Sequence, residues 1–377
     1  MDELKVSSKD DMVMKLLHYF ITIEDYRPII LKGAINEIWL ENLDSDLKII
    51  RINTGHVHNT EQLEIDLRRT KSIMNNIKRR TFTINMNMLN IIIDSEDNLK
   101  LIEDKNIETI KASKIADVKK NKLINKLFPN IKNISSKKSN PVEMIELTNE
   151  INSKTLKEEK KLNKIFNNKK PIVTDILIFI NVLIFLLMFL SPNLYNFFIA
   201  EFGNNYLLVR TGEIYRLLTA GFIHANILHI FFNMYALSIV GKQVEKYYGT
   251  GKYLLIYFIS MIVGNLFACT FENGIGIGAS GAIFGLFGSI LFFSYNYRAT
   301  IEGLLRSPII PTILINILIG FTISNVSVSA HIGGLIGGFL VSMIVGIETR
   351  IRKNDIINGI IVLAIMVAFL SYMIIIK

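Results

Sequence analysis

Residues 278–288 read Gly-Ala-Ser-Gly-Ala-Ile-Phe-Gly-Leu-Phe-Gly and stand where a polar loop enters an apolar run. Gly281, Gly285 and Gly288 recur at helical spacing, and a stripe of small residues lets membrane helices approach closely. Ser280 sits in a Gly-x-Ser-Gly frame, where a serine is a candidate nucleophile held close to the backbone. A membrane helix that starts with such a serine points to hydrolysis inside or at the edge of a membrane.

A serine hydroxyl is a weak nucleophile and needs a base. His331, at the mouth of another apolar segment, is the candidate, since imidazole titrates near neutrality. It is followed by Gly333, Gly334, Gly337 and Gly338, a second small face. Acyl transfer also needs donors for the developing oxyanion. His229 and Asn233, four residues apart, share a helix face, and the Ser280 N–H is a third donor. The plainer alternative is that these glycines only pack helices and that His229 and Asn233 only join them.

The rest of the chain fits a membrane protein. Of 377 residues, 50% are hydrophobic, and the mean hydropathy is +0.36. Residues 1–170 are rich in Lys, Asn, Asp, Glu and Ile, whereas 171–377 hold long apolar runs. The length allows two domains, with a boundary near Lys170-Pro171. The formal charge of +9 reads as cytoplasmic-side Lys and Arg; no nucleic-acid motif is present. The single cysteine, Cys269, excludes an intrachain disulfide and reads as a packed thiol. The polar N-terminus has no apolar signal core.

Seven membrane helices are predicted, at about 172–190, 225–243, 252–271, 280–296, 308–321, 330–347 and 356–376. A span needs roughly 20 apolar residues, so those near 280 and 308 are short and suit a bundle interior. Lys160, Lys161, Lys164, Lys169 and Lys170, then Lys242, Lys246 and Lys252, then Arg298 and Arg306, then Arg350, Arg352 and Lys353 fall on one side if the N-terminus is cytoplasmic. The opposite loops, 272–279 and 322–329, carry only Glu272. Arg210 and Arg216 are the exceptions. Ser280 and His331 then both begin helices on the outer side, and the C-terminus is outside. The loop at 192–223 is long, which is often functional; its Tyr, Phe and Leu suggest packing on the helices or the interface.

Before the membrane, a helix is predicted at 10–22, and strands at 35–41 and 47–53 around a turn at Asp44-Ser45-Asp46. A helix follows at 60–79, with Asn59 and Gln62 spaced as a capping box and Leu63, Leu67, Ile73 and Ile77 as its stripe. Phe82, Ile84, Met86 and Met88 alternate with polar residues, the period of a half-buried strand. Together these predict a small soluble α/β domain over 1–134. Residues 135–170 are predicted as a linker, Ser135–Pro141, and a charged helix, 142–167. His56 and His58, beside a turn-like Gly55, could bind a metal, but two histidines without a Cys or carboxylate cluster do not establish a site. No metal and no cofactor are predicted.

Three motifs, His224-Ala-Asn-Ile-Leu-His229-Ile-Phe-Phe-Asn233, Gly278-Ala-Ser280-Gly281 and Ala330-His331-Ile-Gly-Gly334, resemble those of the rhomboid intramembrane serine proteases in order and in helix placement. The resemblance covers about 171–350. It implies an α-helical polytopic membrane bundle with six core helices over 171–350 and an added seventh helix at 351–377, preceded by the α/β domain. It implies Ser280 as nucleophile, His331 as general base, and His229, Asn233 and the Ser280 N–H as oxyanion hole. Gly278 would belong to the nucleophile loop and Gly281 to the close crossing. Phe284 would stack on His331 where the family often has Tyr, and His224 would order the outer part of the site. Tyr215-Arg216 stands where Trp-Arg is common in the first external loop, and Glu245 matches a structural acidic position. Helix 308–321 and loop 322–329 would form the substrate gate and cap.

The implied partners are transmembrane protein substrates and membrane lipid, with an unknown ligand or partner for the N-terminal domain. The implied location is a bacterial plasma membrane. A non-catalytic rhomboid-like factor that binds membrane proteins or directs their quality control is the alternative. A transporter is a third reading, but the polar residues gather at the outer helix ends and no inverted repeat is visible.

Overall fold

The structure, a computed structural model, describes residues 6–31, 33–81, 83–167, 170–297, 327–347 and 352–377. The predicted helix 308–321, the gate it would form, most of loop 322–329, and Phe82, Lys169, Arg298, Arg306 and Arg350 lie outside the described residues. The chain forms two compact units, Met1–Lys160 and Lys161–Lys377.

The first unit is an α/β layer structure. Helix α1 (Ser8–His18) runs into a π-helical turn, Tyr19–Ile23. Strands β1 (Arg27–Ile29), β2 (Glu37–Glu41), β3 (Ile49–Val57), β4 (Met88–Ser95) and β5 (Ile107–Lys111) form one sheet in chain order. β1, β2 and β3 pair antiparallel; β4 and β5 add on in parallel. The parallel β3–β4 pair needs a crossover, supplied by α2 (Thr60–Arg80).

Both sheet faces are covered. Leu40, Ile50, Ile52, Leu89, Ile91 and Ile93 bury against Met12 and Leu16 of α1 and against Phe128 and Ile131. Trp39, Ile49, Met88 and Ile92 bury against Leu63, Leu67, Met74 and Ile77 of α2. The α2 N-cap is as expected, with Asn59 Oδ1 accepting from the Gln62 N–H at 2.8 Å. Gln62 Oε1 returns to the His58 N–H, at 2.8 Å, not to the Asn59 N–H of a capping box.

The predicted strand at 82–88 is corrected. The strand begins at Met88, and Ile84 is 85% exposed. Asn90 interrupts an otherwise continuous apolar run, Met88-Leu89-Ile91-Ile92-Ile93, as expected of a central strand buried on both faces; the alternation upstream was coincidental.

Short helices α3 (Ile115–Lys120) and α4 (Lys122–Leu127) follow, then α5 (Pro141–Asn167). The stretch predicted as linker is docked on this unit. The Ser139 N–H donates to Asp11 Oδ1 at 3.1 Å, and Lys15 reaches the Lys137 carbonyl. Ion pairs of His18 with Glu150 and Arg27 with Glu158 hold α5.

In the second unit, α6 (Val173–Met188) is shorter than its predicted 172–190. The long loop is mostly helical: α7 (Pro192–Phe202), α8 (Tyr206–Arg210) and α9 (Arg216–Thr219). There follow α10 (Ile227–Tyr248), with a π-helical turn at Leu237–Gly241, α11 (Thr250–Phe271), α12 (Ser280–Asn296), α13 (Val328–Val345) and α14 (Lys353–Ile376). Among the described residues, α10, α11, α13 and α14 are long and apolar enough to cross a membrane; α6 and α12 are shorter apolar helices. This is a helical membrane protein. Glu245 closes the start of α6: its carboxylate accepts from the N–H groups of Ile172, Val173 and Thr174 at 3.2, 3.0 and 2.9 Å, and from the hydroxyls of Thr174 and Thr250.

Candidate active site

The site is built on the contact between α12 and α13. Their glycines place backbone against backbone. A Cβ on Gly334 would stand 2.0 Å from the Gly281 carbonyl, and one on Gly338 equally close to that of Gly285. Gly264 of α11 joins them, with a Cβ there meeting the Ala330 carbonyl at 2.7 Å. The two predicted small faces therefore pack against each other, and they bring the first turns of both helices together.

Ser280 is the first residue of α12, which has no side-chain cap. Its opening N–H groups therefore have no partner earlier in the helix. Gly278, two residues before, holds φ +115°, a conformation that side chains rarely tolerate. Its Cα also faces His229 closely: a Cβ there would lie 2.6 Å from Nε2. The Gly278 N–H donates to the Ala220 carbonyl at 2.9 Å, and Gly276 exchanges two backbone hydrogen bonds with Asn204. The loop before α12 is thus pinned to the segment that precedes α10.

His331 is the fourth residue of α13 and is 6% exposed. Its ring stacks on Phe284, one turn after Ser280, with centroids 4.0 Å apart and planes at 11°. Residues four apart share a helix face, so the imidazole lies beside the Ser280 side. Among the described residues, neither ring nitrogen of His331 has a hydrogen-bond partner, so no hydrogen bond joins it to Ser280. Nucleophile–base contacts are commonly loose before substrate binds.

His229 and Asn233 lie on one face of α10, joined by a 2.9 Å hydrogen bond from Asn233 Nδ2 to the His229 carbonyl. The Ala225 N–H donates to His229 Nδ1 over a long 3.5 Å. With Nδ1 accepting, a neutral imidazole carries its proton on Nε2, the nitrogen that faces Gly278. His224 is not on this helix. It sits in the preceding turn, fully buried, with its ring edge-on to His229 at 5.0 Å. All eight predicted site residues (Ser280, His331, His229, Asn233, Gly278, Gly281, Phe284 and His224) thus fall at or near the N-terminal ends of α10, α12 and α13.

Tyr215-Arg216 proves structural. The buried Arg216 guanidinium donates to the carbonyls of Ala200 and Gly203 at the end of α7 and pairs with Glu213. Sequence reading missed Asn204, whose amide donates to the Asn265 carbonyl at 3.0 Å and whose oxygen faces the Cys269 thiol. A lone Asn in a long loop carries no signal of its own.

In the first unit, ligand atoms of His56, His58 and Glu96 lie within 4.8 Å of one another, all on exposed residues. Imidazole and carboxylate donors of this kind suit transition metals. The carboxylate that the sequence reading lacked comes from the neighbouring strand end. His56 also pairs with Asp94 at 2.6 Å.

A family model for the Rhomboid domain matches residues 211–348. The chain is 29% identical over 360 residues to Rhomboid protease GluP of Bacillus subtilis (strain 168), covering 91% of this chain and 71% of that protein. It is 43% identical over 93 residues to Rhomboid-like protease 1 of Toxoplasma gondii, covering 24% and 32%. It is 37% identical over 117 residues to Inactive RHOMBOID-like protein 8 of Arabidopsis thaliana, covering 30% and 33%. The chain thus spans about a third of the last two.

Proposed function

The chain belongs to the rhomboid family, and we propose that it is an intramembrane serine endopeptidase in which Ser280 is the nucleophile and His331 the general base. The observation that carries this reading is the stack of His331 on Phe284, one turn from Ser280, at a glycine crossing that admits no side chain.

In this mechanism a substrate helix unwinds at the outer face and presents a backbone carbonyl to Ser280. Oγ attacks the carbonyl carbon while His331 takes its proton. The oxyanion accepts from the Ser280 N–H, His229 Nε2–H and Asn233 Nδ2. His331 then protonates the leaving amine, and the C–N bond breaks to give an acyl-enzyme. Water, deprotonated by His331, releases the acid. The dyad has no acidic third member and uses no metal.

The proposal extends to the topology. The N-terminus is cytoplasmic in a bacterial plasma membrane, six core helices are joined by α14 as a seventh, and the C-terminus is outside. Residues 308–329 gate the substrate. The domains divide as 1–134, 135–170, 171–350 and 351–377.

The second reading is a client-binding factor with an idle dyad. The absence, among the described residues, of a hydrogen bond to the His331 nitrogens and the relative named inactive favour it. Cleavage of a transmembrane reporter by the detergent-purified protein, beside Ser280→Ala and His331→Ala at matched folding, separates the two. Cleavage by wild type alone supports the protease. Equal cleavage by all three assigns the activity elsewhere, and binding without cleavage favours the second reading.

A further inference from the structure

We propose that Glu272 and Lys377 form a brace through which α14 sets the position of the helix start that carries His331. Both are positioning residues; neither touches Ser280 or His331. The inference rests on the protease reading for its catalytic consequence and on geometry for the brace itself.

Glu272 follows α11 directly and caps it, its N–H donating to the Ala268 carbonyl at 2.8 Å. Its side chain turns to a different helix: Oε1 accepts from the Ser329 N–H at 3.1 Å. Ser329 is the second residue of α13. The α13 N-cap, Ser327, accepts from the Ala330 N–H at 3.1 Å through its hydroxyl and from the His331 N–H at 3.3 Å through its carbonyl. Glu272 and Ser327 together occupy orphan donors of the first helical turn. A carboxylate there also meets the positive end of the helix dipole. His331 closes that same turn, so the frame that orders the turn orders the imidazole.

Lys377 acts from the other side. Its ammonium donates to the Glu272 carbonyl at 2.7 Å and to the Cys269 carbonyl at 3.1 Å, the carbonyls left open where α11 ends. It also lies 4.3 Å from the Tyr206 ring centroid, a cation–π distance. Packing holds α14 in this place. Leu370 and Ile374 are buried with Leu266 and Cys269 of α11 and with Val209 and Leu217. Near the other end of α14, a Cβ on Gly359 would meet the Leu340 carbonyl of α13 at 3.1 Å. The last helix therefore touches both α11 and α13, and its lysine closes on the residue that links them.

The test uses the full chain in lipid vesicles, with Glu272→Ala, Glu272→Gln, Lys377→Met, Lys377→Arg and the double Glu272→Ala/Lys377→Met. The readouts are kcat and KM on a transmembrane reporter, the rate at which a fluorophosphonate labels Ser280, and hydrogen exchange at residues 328–332. Glu272→Ala should lower kcat and labelling about fivefold, the worth of one helix cap, with KM little changed. Glu272→Gln keeps the acceptor oxygen and should restore most of the rate. Lys377→Met should cost about threefold and Lys377→Arg little, since Arg keeps a charged donor. The double variant should match Glu272→Ala, because the two act in series. Exchange at Ser329 should rise in Glu272→Ala and in Lys377→Met. Unchanged kcat in both single variants, additive losses, or unchanged exchange at Ser329 would overturn the brace. If wild type neither labels nor cleaves, the protease reading fails, and exchange at Ser329 alone decides: faster in both variants upholds the brace, unchanged rejects it.

Discussion

Phe284 and His331 lie face to face, with ring centroids 4.0 Å apart and planes 11° from parallel. The pair crosses between α12 and α13 near their N-terminal ends, as Phe292 and Phe339 do further along the same two helices. An aromatic pair contributes about 1 kcal/mol beyond its buried area, enough to bias the imidazole toward one orientation.

Under the proposed dyad, removing that ring should lower reaction at Ser280 more than it lowers substrate affinity. Phe284→Ala should slow fluorophosphonate labelling about tenfold, whereas Phe284→Tyr, which keeps the face, should stay within a factor of about two. Labelling rates on protein of verified folding check this; equal rates in all three would show that the stack does not orient the base.

The glycine crossing makes a sharper prediction. Gly334→Ala and Gly338→Ala each drive a methyl to 2.0 Å from a backbone carbonyl that has no flexible end to yield. Overpacking of this kind costs about 3 kcal/mol or more, and the helices must separate. Gly251→Ala, with nothing within 4 Å, is the control and should be near neutral. Thermal unfolding in detergent compares the three.

Glu245 is 1% exposed and serves five donors from α6 and Thr250. Glu245→Ala leaves the two buried Thr174 donors without this acceptor and should destabilise the membrane unit by about 3 kcal/mol. Protease cleavage near residues 170–174 should rise in parallel. Unaltered resistance there would mean that water replaces the carboxylate.

Asp11 predicts an acid sensitivity in the first unit. Burial opposes its charge, but the Lys15 ammonium at 2.8 Å and the Ser139 donors hold its pKa below the ordinary 3.8. A carboxylate depressed in the native state contributes stability that is complete above its unfolded value, and the contribution is lost as pH falls through the native value. Docking of residues 135–140 on α1 should therefore be intact at pH 6 and weaken below about pH 4. Asp11→Asn should weaken it at every pH and abolish that acid step. Hydrogen exchange of the full chain, corrected for intrinsic rates, reads both.

Legibility in the sequence followed the range of the interaction. The helix at 60–79 and the hairpin of β2 and β3 were read from local pattern and turn residues, and the described membrane helices from apolar runs, because each depends on neighbours along the chain. Strand β4 was misplaced because a strand buried on both faces has no alternation to detect. The docked segment 135–140 looked like a linker because its partners, Asp11 and Lys15, are more than a hundred residues away. Arg51, 1% exposed, was invisible because Glu37, Asp66 and Asn90 converge on it from two other strands and a helix only once the sheet has formed.

For the site, the sequence by itself determined which side chains are present and that Ser280 and His331 each open a small-faced apolar helix. Helical periodicity and residue type are local, so the text of the chain carries them. Only the tertiary structure decided that Gly281 meets Gly334, that Phe284 lies under His331, that Gly278 packs on His229, and that Glu272 ties α11 to α13. Each joins segments distant in the chain, and the reason is steric and electrostatic: backbones touch where no Cβ intervenes, and buried donors take the acceptor that packing brings to them.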